Sequence, residues 1–186
     1  MRTIFRVGLT YICLGLLVGC GVSKAQETMT NICEYDHLIK AEAKKIGWDW
    51  RMIASIIYHE SKFQPDLVNA KGAFGLMQLM PHTMKKYGIT HQSTVEEQLE
   101  AGGKVLVRLD HKLSEVITDS LERVNFVLAS YNVGMSRVMA CRQLASKNGH
   151  DPNVWANNVE RYSPKQTVAF VKKVTQRYSY YKSSIE

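Results

Sequence analysis

Apolar residues recur at three- and four-residue intervals along almost the whole chain after residue 34, and this period predicts α-helices. Tyr35, Leu38, Ile39 and Ile46 mark a first helix that Gly47 can end. Asp49 can cap a second, from Trp50 to about Ser61. Pro65, Gly72 and Gly75 break a loop from Phe63 to Phe74. A short helix is expected over Leu76–Met80, and Pro81 can start the next. Ser93 with Glu96 has capping-box spacing and opens a helix to about Leu113, interrupted in pattern by Gly102-Gly103. Leu121, Val124, Leu128 and Tyr131 form another stripe, ended by Gly134. A helix from Met135 to about Lys147 follows, and Asp151-Pro152 and Ser163-Pro164 each pair a cap with a first-turn proline. The last helix is expected from Pro164 to Tyr181. No run alternates with the period of a strand, so the class is all-α, in a single domain.

The first 19 residues break this pattern. Arg2 and Arg6 precede an apolar run from Val7 to Val18, too short for a comfortable membrane span. It reads as an export signal, 1–19, followed by a tether over 20–33 and the folded domain over 34–186. Leu17-Val18-Gly19-Cys20 resembles a lipobox in which Cys20 takes the lipid, which would hold the chain at a membrane. Cleavage after Ala25, at Ser23-Lys24-Ala25, is the alternative and leaves a soluble periplasmic protein. Either reading places the domain outside the cytoplasm.

Export changes the meaning of the four cysteines. Cys13 leaves with the signal and Cys20 is lipidated or removed, so Cys33 and Cys141 remain as one pair. In an oxidising compartment they suggest a disulfide, contributing on the order of 4 kcal/mol in the chain-entropy model; two buried free thiols are the alternative. The net charge of +7 suits an anionic envelope partner or membrane surface. The basic residues are scattered without a basic-aromatic motif, which argues against nucleic acid.

The chemistry centres on Glu60. His59-Glu60 would open a metal motif, but the position needing a second histidine is Phe63, and the other histidines have no ligand spacing, so no metal is expected. Ser61 lacks a glycine-flanked elbow and Cys141 lacks a nucleophile signature. Ile53, Ile56 and Ile57 lie seven, four and three positions before Glu60 and share its helix face. A carboxylate at the end of such a stripe is desolvated, and desolvation raises its pKa towards neutrality, as general-acid cleavage of a glycosidic bond requires. A helix-end glutamate turned into solvent fits the same spacing.

Three blocks occur in order: Glu60-Ser61, Gly75-Leu76-Met77-Gln78-Leu79-Met80-Pro81, and Ala129-Ser130-Tyr131-Asn132-Val133-Gly134. Together they resemble the lytic transglycosylases of the soluble (SLT, family 1) type, over about Tyr35 to Tyr181. The resemblance implies a lysozyme-like helical fold. It implies cleavage of the β-1,4 bond between N-acetylmuramic acid and N-acetylglucosamine in peptidoglycan glycan strands, with a 1,6-anhydro product and no cofactor. It makes Glu60 the sole catalytic carboxylate, acid and then base. Gln78 and Met80 would line the cleft, Tyr131 would face the glutamate, and Asn132 would lie beside it. Asn69 stands where the family often has serine and can still hydrogen-bond an acetamido group. Phe170 stands where the family has tyrosine and lacks its hydroxyl. Other readings stay open: a muramidase using water, with Asp66 or another carboxylate helping; a wall-binding lipoprotein without activity; or a wall-opener attached to envelope or secretion machinery. A lipid on Cys20 would hold the protein at a membrane facing the periplasm, with the outer membrane as the expected one.

Overall fold

The computed structural model describes residues 31–185. The export signal, the lipobox with Cys20 and the Ala25 site lie outside the described residues, as does most of the expected tether. The described residues form seven α-helices: α1 Asp36–Ile46, α2 Trp50–Glu60, α3 Pro81–Tyr87, α4 Val95–Ser114, α5 Ser120–Val133, α6 Met135–Lys147 and α7 Lys165–Ser184. A 3₁₀ turn, Val159–Tyr162, precedes α7. The only extended pairing among the described residues is two isolated antiparallel bridges, Val68 with Phe74 and Phe74 with Leu79.

Two central helices carry the core. In α2, Met52 through Ile57 are all buried, so the helix is enclosed on more than one side. It packs against α1 and, most extensively, α7. In α5, Phe126 through Ser130 are buried between α4, α6 and α7. The long α4 turns Leu99, Leu106, Leu109 and Leu113 inward at helical spacing, against α1 and α5. Gly102-Gly103 does not interrupt α4. These glycines let other groups approach its backbone: a Cβ at Gly102 would collide with Met77, and one at Gly103 with Glu42.

Gly47 ends α1 in the left-handed conformation, as expected. Asp49 caps α2 and does more than its position promised. One carboxylate oxygen accepts from the Arg51 amide at 2.9 Å, and the other accepts from the Tyr178 hydroxyl at 3.1 Å. Arg51 grips the same carboxylate through Nε at 3.0 Å. Burial works against the charge of Asp49, but these donors win and hold its pKa below the ordinary range. Asp49 thus ties α2 to α7. Asp49→Ala should lower stability by about 1–2 kcal/mol, read as a shift in the urea midpoint at unchanged slope.

Several expected boundaries move. Thr94 and Glu97, one residue later than expected, form the capping box of α4. Asp119 caps α5, and Leu121 is 82% exposed because the first turn extends past the core. Asp151 does not cap a helix; its carboxylate accepts from the Asn153 amide in a turn. Ser163 donates its hydroxyl back to the Val159 carbonyl at 3.0 Å and leaves the α7 end uncapped. The disulfide does not form. Cys33 and Cys141 are free, each with its own partner: the Cys33 thiol meets the Asp36 carboxylate at 3.4 Å, and the Cys141 thiol meets the Tyr162 carbonyl at 3.2 Å. Burial pushes the Cys33 thiol up to about 12, leaving it inert.

Candidate active site

Glu60 is the last residue of α2, at the end of the isoleucine face. The chain reverses at once: Lys62 and Phe63 both take left-handed backbone, at φ 55° and 63°. Non-glycine residues hold that conformation only when their surroundings impose it. Ser61 supplies the constraint. It is 1% exposed, and its hydroxyl donates to the Leu76 carbonyl at 2.8 Å, binding the end of α2 to the Gly75–Met80 segment.

That segment is a turn, not the expected helix. Gln78 sits at φ 46°, and Phe74 and Leu79 exchange backbone bonds at 3.0 and 2.9 Å across it. Two glutamines fix the turn from either side. The Gln78 amide donates to the carbonyls of Leu67 and Gly75 at 2.9 and 3.0 Å. From α4, the Gln98 side-chain oxygen accepts from the Leu76 amide at 2.9 Å, and Gly75 leaves it room. Ser61 and Gln98 are the supporting residues that sequence reasoning missed. Their signal is weak, a polar residue on an otherwise apolar face.

Tyr131 comes from α5 and joins the turn to the glutamate. Its hydroxyl donates to the Met77 carbonyl at 2.6 Å. Its pKa stands well above that of a free phenol, through burial first and then the charge of Glu60. Glu60 and Tyr131 are therefore electrostatic neighbours. Glu60 itself is half-buried, and burial alone pushes its carboxyl up to about 7 from 4.5. Neither a cation nor a second carboxylate enters that shift. Asp66, the sequence's candidate helper, is exposed.

A cleft of about 470 Å³ opens beside Tyr131. Gln78, Met80, Tyr131 and Asn132 line it, with Arg108 and His82. Asn132 is steadied from α7, its carbonyl oxygen accepting from the Thr167 hydroxyl at 2.9 Å. Glu60 does not line this cleft directly; it neighbours Tyr131, which does. The structure does not bring Asn69 and Phe170 to it. The Asn69 side-chain oxygen accepts from the amides of Lys71 and Ala73, at 2.8 and 3.1 Å, and so organises its own exposed loop. Phe170, one turn beyond Thr167, packs against the core. No group of three or more His, Cys, Asp or Glu among the described residues is arranged to hold a metal.

Helices enclosing one desolvated glutamate, with a tyrosine beside it and a cleft next to that tyrosine, make a lysozyme-like helical fold. The Transglycosylase SLT domain model matches residues 37–154, and the chain belongs to that family. It is 38% identical over 130 residues to the membrane-bound lytic murein transglycosylase F of Desulfosudis oleivorans, covering 70% of this chain and 28% of that protein. The protein of the same name from Stutzerimonas stutzeri is 36% identical, covering 70% and 27%. The chain thus spans about a quarter of the length of these curated relatives. Among solved structures, the 70 kDa soluble lytic transglycosylase of Escherichia coli superposes with a TM-score of 0.61 at 25% identity, over 80% of this chain and 24% of that one. An inactive glutamate-to-glutamine mutant of the Pseudomonas aeruginosa lytic transglycosylase Slt gives 0.60 at 24% identity, over 82% and 25%.

Proposed function

We propose that the chain is a peptidoglycan lytic transglycosylase, with Glu60 as its one acid–base residue. The observation that carries this reading is a carboxyl raised to about 7 by burial alone, at the end of a helix, beside Tyr131. At neutral pH a large fraction of that carboxyl holds its proton. It gives the proton to the bridging oxygen as the bond from C1 of N-acetylmuramic acid to O4 of N-acetylglucosamine breaks, so that N-acetylglucosamine leaves with a free 4-hydroxyl. The resulting carboxylate then takes the proton of the muramic acid 6-hydroxyl while O6 closes on C1. The substrate's own acetamido group stabilises positive charge at C1, so no second carboxylate is required.

Tyr131 supports the acid in a particular way. Its hydroxyl hydrogen is engaged by Met77, so what the phenol can offer Glu60 is an accepting oxygen. An accepting oxygen does not favour the carboxylate, so the shift that burial sets stands unopposed. Gln78, Met80 and Asn132 line the sugar groove, while Asn69 shapes its loop. Cys20 carries a lipid that holds the domain at a membrane facing the periplasm, in keeping with the names of its relatives.

Digestion of purified sacculi followed by mass spectrometry tests the reading. Muropeptides ending in 1,6-anhydro sugar, lighter by one water than hydrolysed ones, are expected. Hydrated reducing ends would make the enzyme a muramidase, and retention of sacculi without release would make it a binding protein.

A further inference from the structure

We infer that a second cavity, separate from the sugar cleft but at the same helix end as Glu60, holds the carboxylates of peptidoglycan stem peptides. It has a volume of about 500 Å³ and lies between α2 and α7. Its lining shares no residue with the cleft: Tyr58, His59 and Lys62 come from the end of α2 and the residue pair after it, and Lys173, Arg177 and Tyr180 from α7.

Three cations line this cavity, and no carboxylate of the described residues lines it with them. The ion pairs among the described residues engage Lys45, Arg51, Lys104 and Arg123, and none engages Lys62, Lys173 or Arg177. Instead the positive groups gather over one ring. Lys62 Nζ lies 3.7 Å and the Arg177 guanidinium 3.9 Å from the centre of Tyr58. Stacking holds a guanidinium by its face and leaves its N–H edge for a planar, two-oxygen partner. A carboxylate fits that edge.

His59 supplies an independent observation. Its Nε2 is buried, and among the described residues it has no hydrogen-bond partner, while the residue lines the cavity. A buried polar atom left unmatched is costly, and a polar ligand group in the cavity would match it. Burial first, then the charges of Lys62 and Arg177, hold the ring down to about 4 against a backbone interaction with Lys173, so His59 is neutral and leaves the positive charge to its neighbours.

Position selects the ligand. His59 precedes Glu60 directly and Lys62 follows it by two residues. An occupant of this cavity therefore sits at the same helix end as the acid. The glycan at that place is uncharged, and the carboxylates of the polymer lie on the peptides that hang from the muramic acid. This inference rests on the proposed function.

The test uses the full chain on two substrates, glycan strands carrying peptides and the same strands stripped by an amidase and then converted to the primary amide at the lactyl carboxylate that the amidase frees. Each exposed cation–carboxylate contact contributes up to about 1 kcal/mol, so wild type should show a KM about five-fold or more lower on peptide-bearing strands. Lys173→Gln with Arg177→Gln should abolish this preference and leave turnover of stripped strands unchanged. Matching melting curves exclude misfolding. Lys173→Gln alone, at an exposed position, gives half the effect if the pair disturbs Tyr58. Titration with free stem tetrapeptide, inorganic phosphate and vesicles of anionic lipid gives a readout independent of cleavage. Peptide binding lost in the variant supports the inference. Equal rates on both substrates by wild type, a variant that keeps the preference, or phosphate or vesicles binding where peptide does not, overturns it. Failure to cleave stripped strands while still binding peptide would overturn the enzymatic reading and leave this site standing.

Discussion

Glu60→Gln should reduce the release of anhydro-muropeptides by about 10³-fold, the usual contribution of a positioned general acid–base group. Glutamine keeps the volume and a planar hydrogen-bonding head group and has no acidic proton to give. Glu60 makes no ion pair and bonds to no partner among the described residues, so the exchange removes chemistry and leaves packing in place. The variant should retain its circular dichroism and its affinity for sacculi. Residual activity within ten-fold of wild type would mean that another group supplies the proton, and the single-carboxylate mechanism would fall. The pH profile gives a second check. Wild-type kcat/KM should decline above about 7, as the acid of the free enzyme loses its proton.

The sequence marked Glu60 because the surroundings of that residue are local. Ile53, Ile56 and Ile57 reach it along one helix, and helical period alone puts them on its face. The boundaries at Gly47 and Asp49 were legible for the same reason, since caps act over one turn. The segment Leu76–Met80 was not legible. Its apolar run suits a helix, but the deciding contacts come from Ser61, 15 residues away, and Gln98, 22 residues away. Tertiary bonds there force Gln78 into left-handed backbone against its local preference. The α5 stripe failed differently. Leu121 has the right spacing to its neighbours, but spacing cannot say where a helix runs out of core. The cysteines show the same limit, because two thiols left over in an exported chain do not specify their separation. The basic cavity was invisible in the sequence, where Lys62, Lys173 and Arg177 look like scattered surface charge; only the packing of α7 on α2 brings them together.

The same substitution should also raise stability, and by an amount that depends on pH. The native carboxyl of Glu60 titrates near 7, against 4.5 in a solvated chain. The fold therefore prefers the protonated form. Below about 4.5 both states hold the proton and the native state keeps its full stability. Between 4.5 and 7 the unfolded chain releases a proton that the native state retains, so stability falls as pH rises. Above 7 both forms are ionised, and the native state carries a buried charge costing on the order of 2–3 kcal/mol. A glutamine at this position never ionises and escapes the loss. Wild type and Glu60→Gln should accordingly unfold at similar denaturant concentrations at pH 4, then diverge until the variant is about 2–3 kcal/mol more stable at pH 8, or roughly 5–10 °C in melting temperature. His59, held down to about 4, and Asp49, held low by Arg51, titrate in both proteins and cancel in the difference. A gap that stays constant from pH 4 to pH 8, or a variant that is less stable at pH 8, would mean that Glu60 is solvated. A solvated Glu60 would have an ordinary pKa and could not hold a proton for the sugar at neutral pH. The denaturation curves thus test the catalytic acid without any substrate, because one desolvation both weakens the fold at neutral pH and keeps the acid loaded.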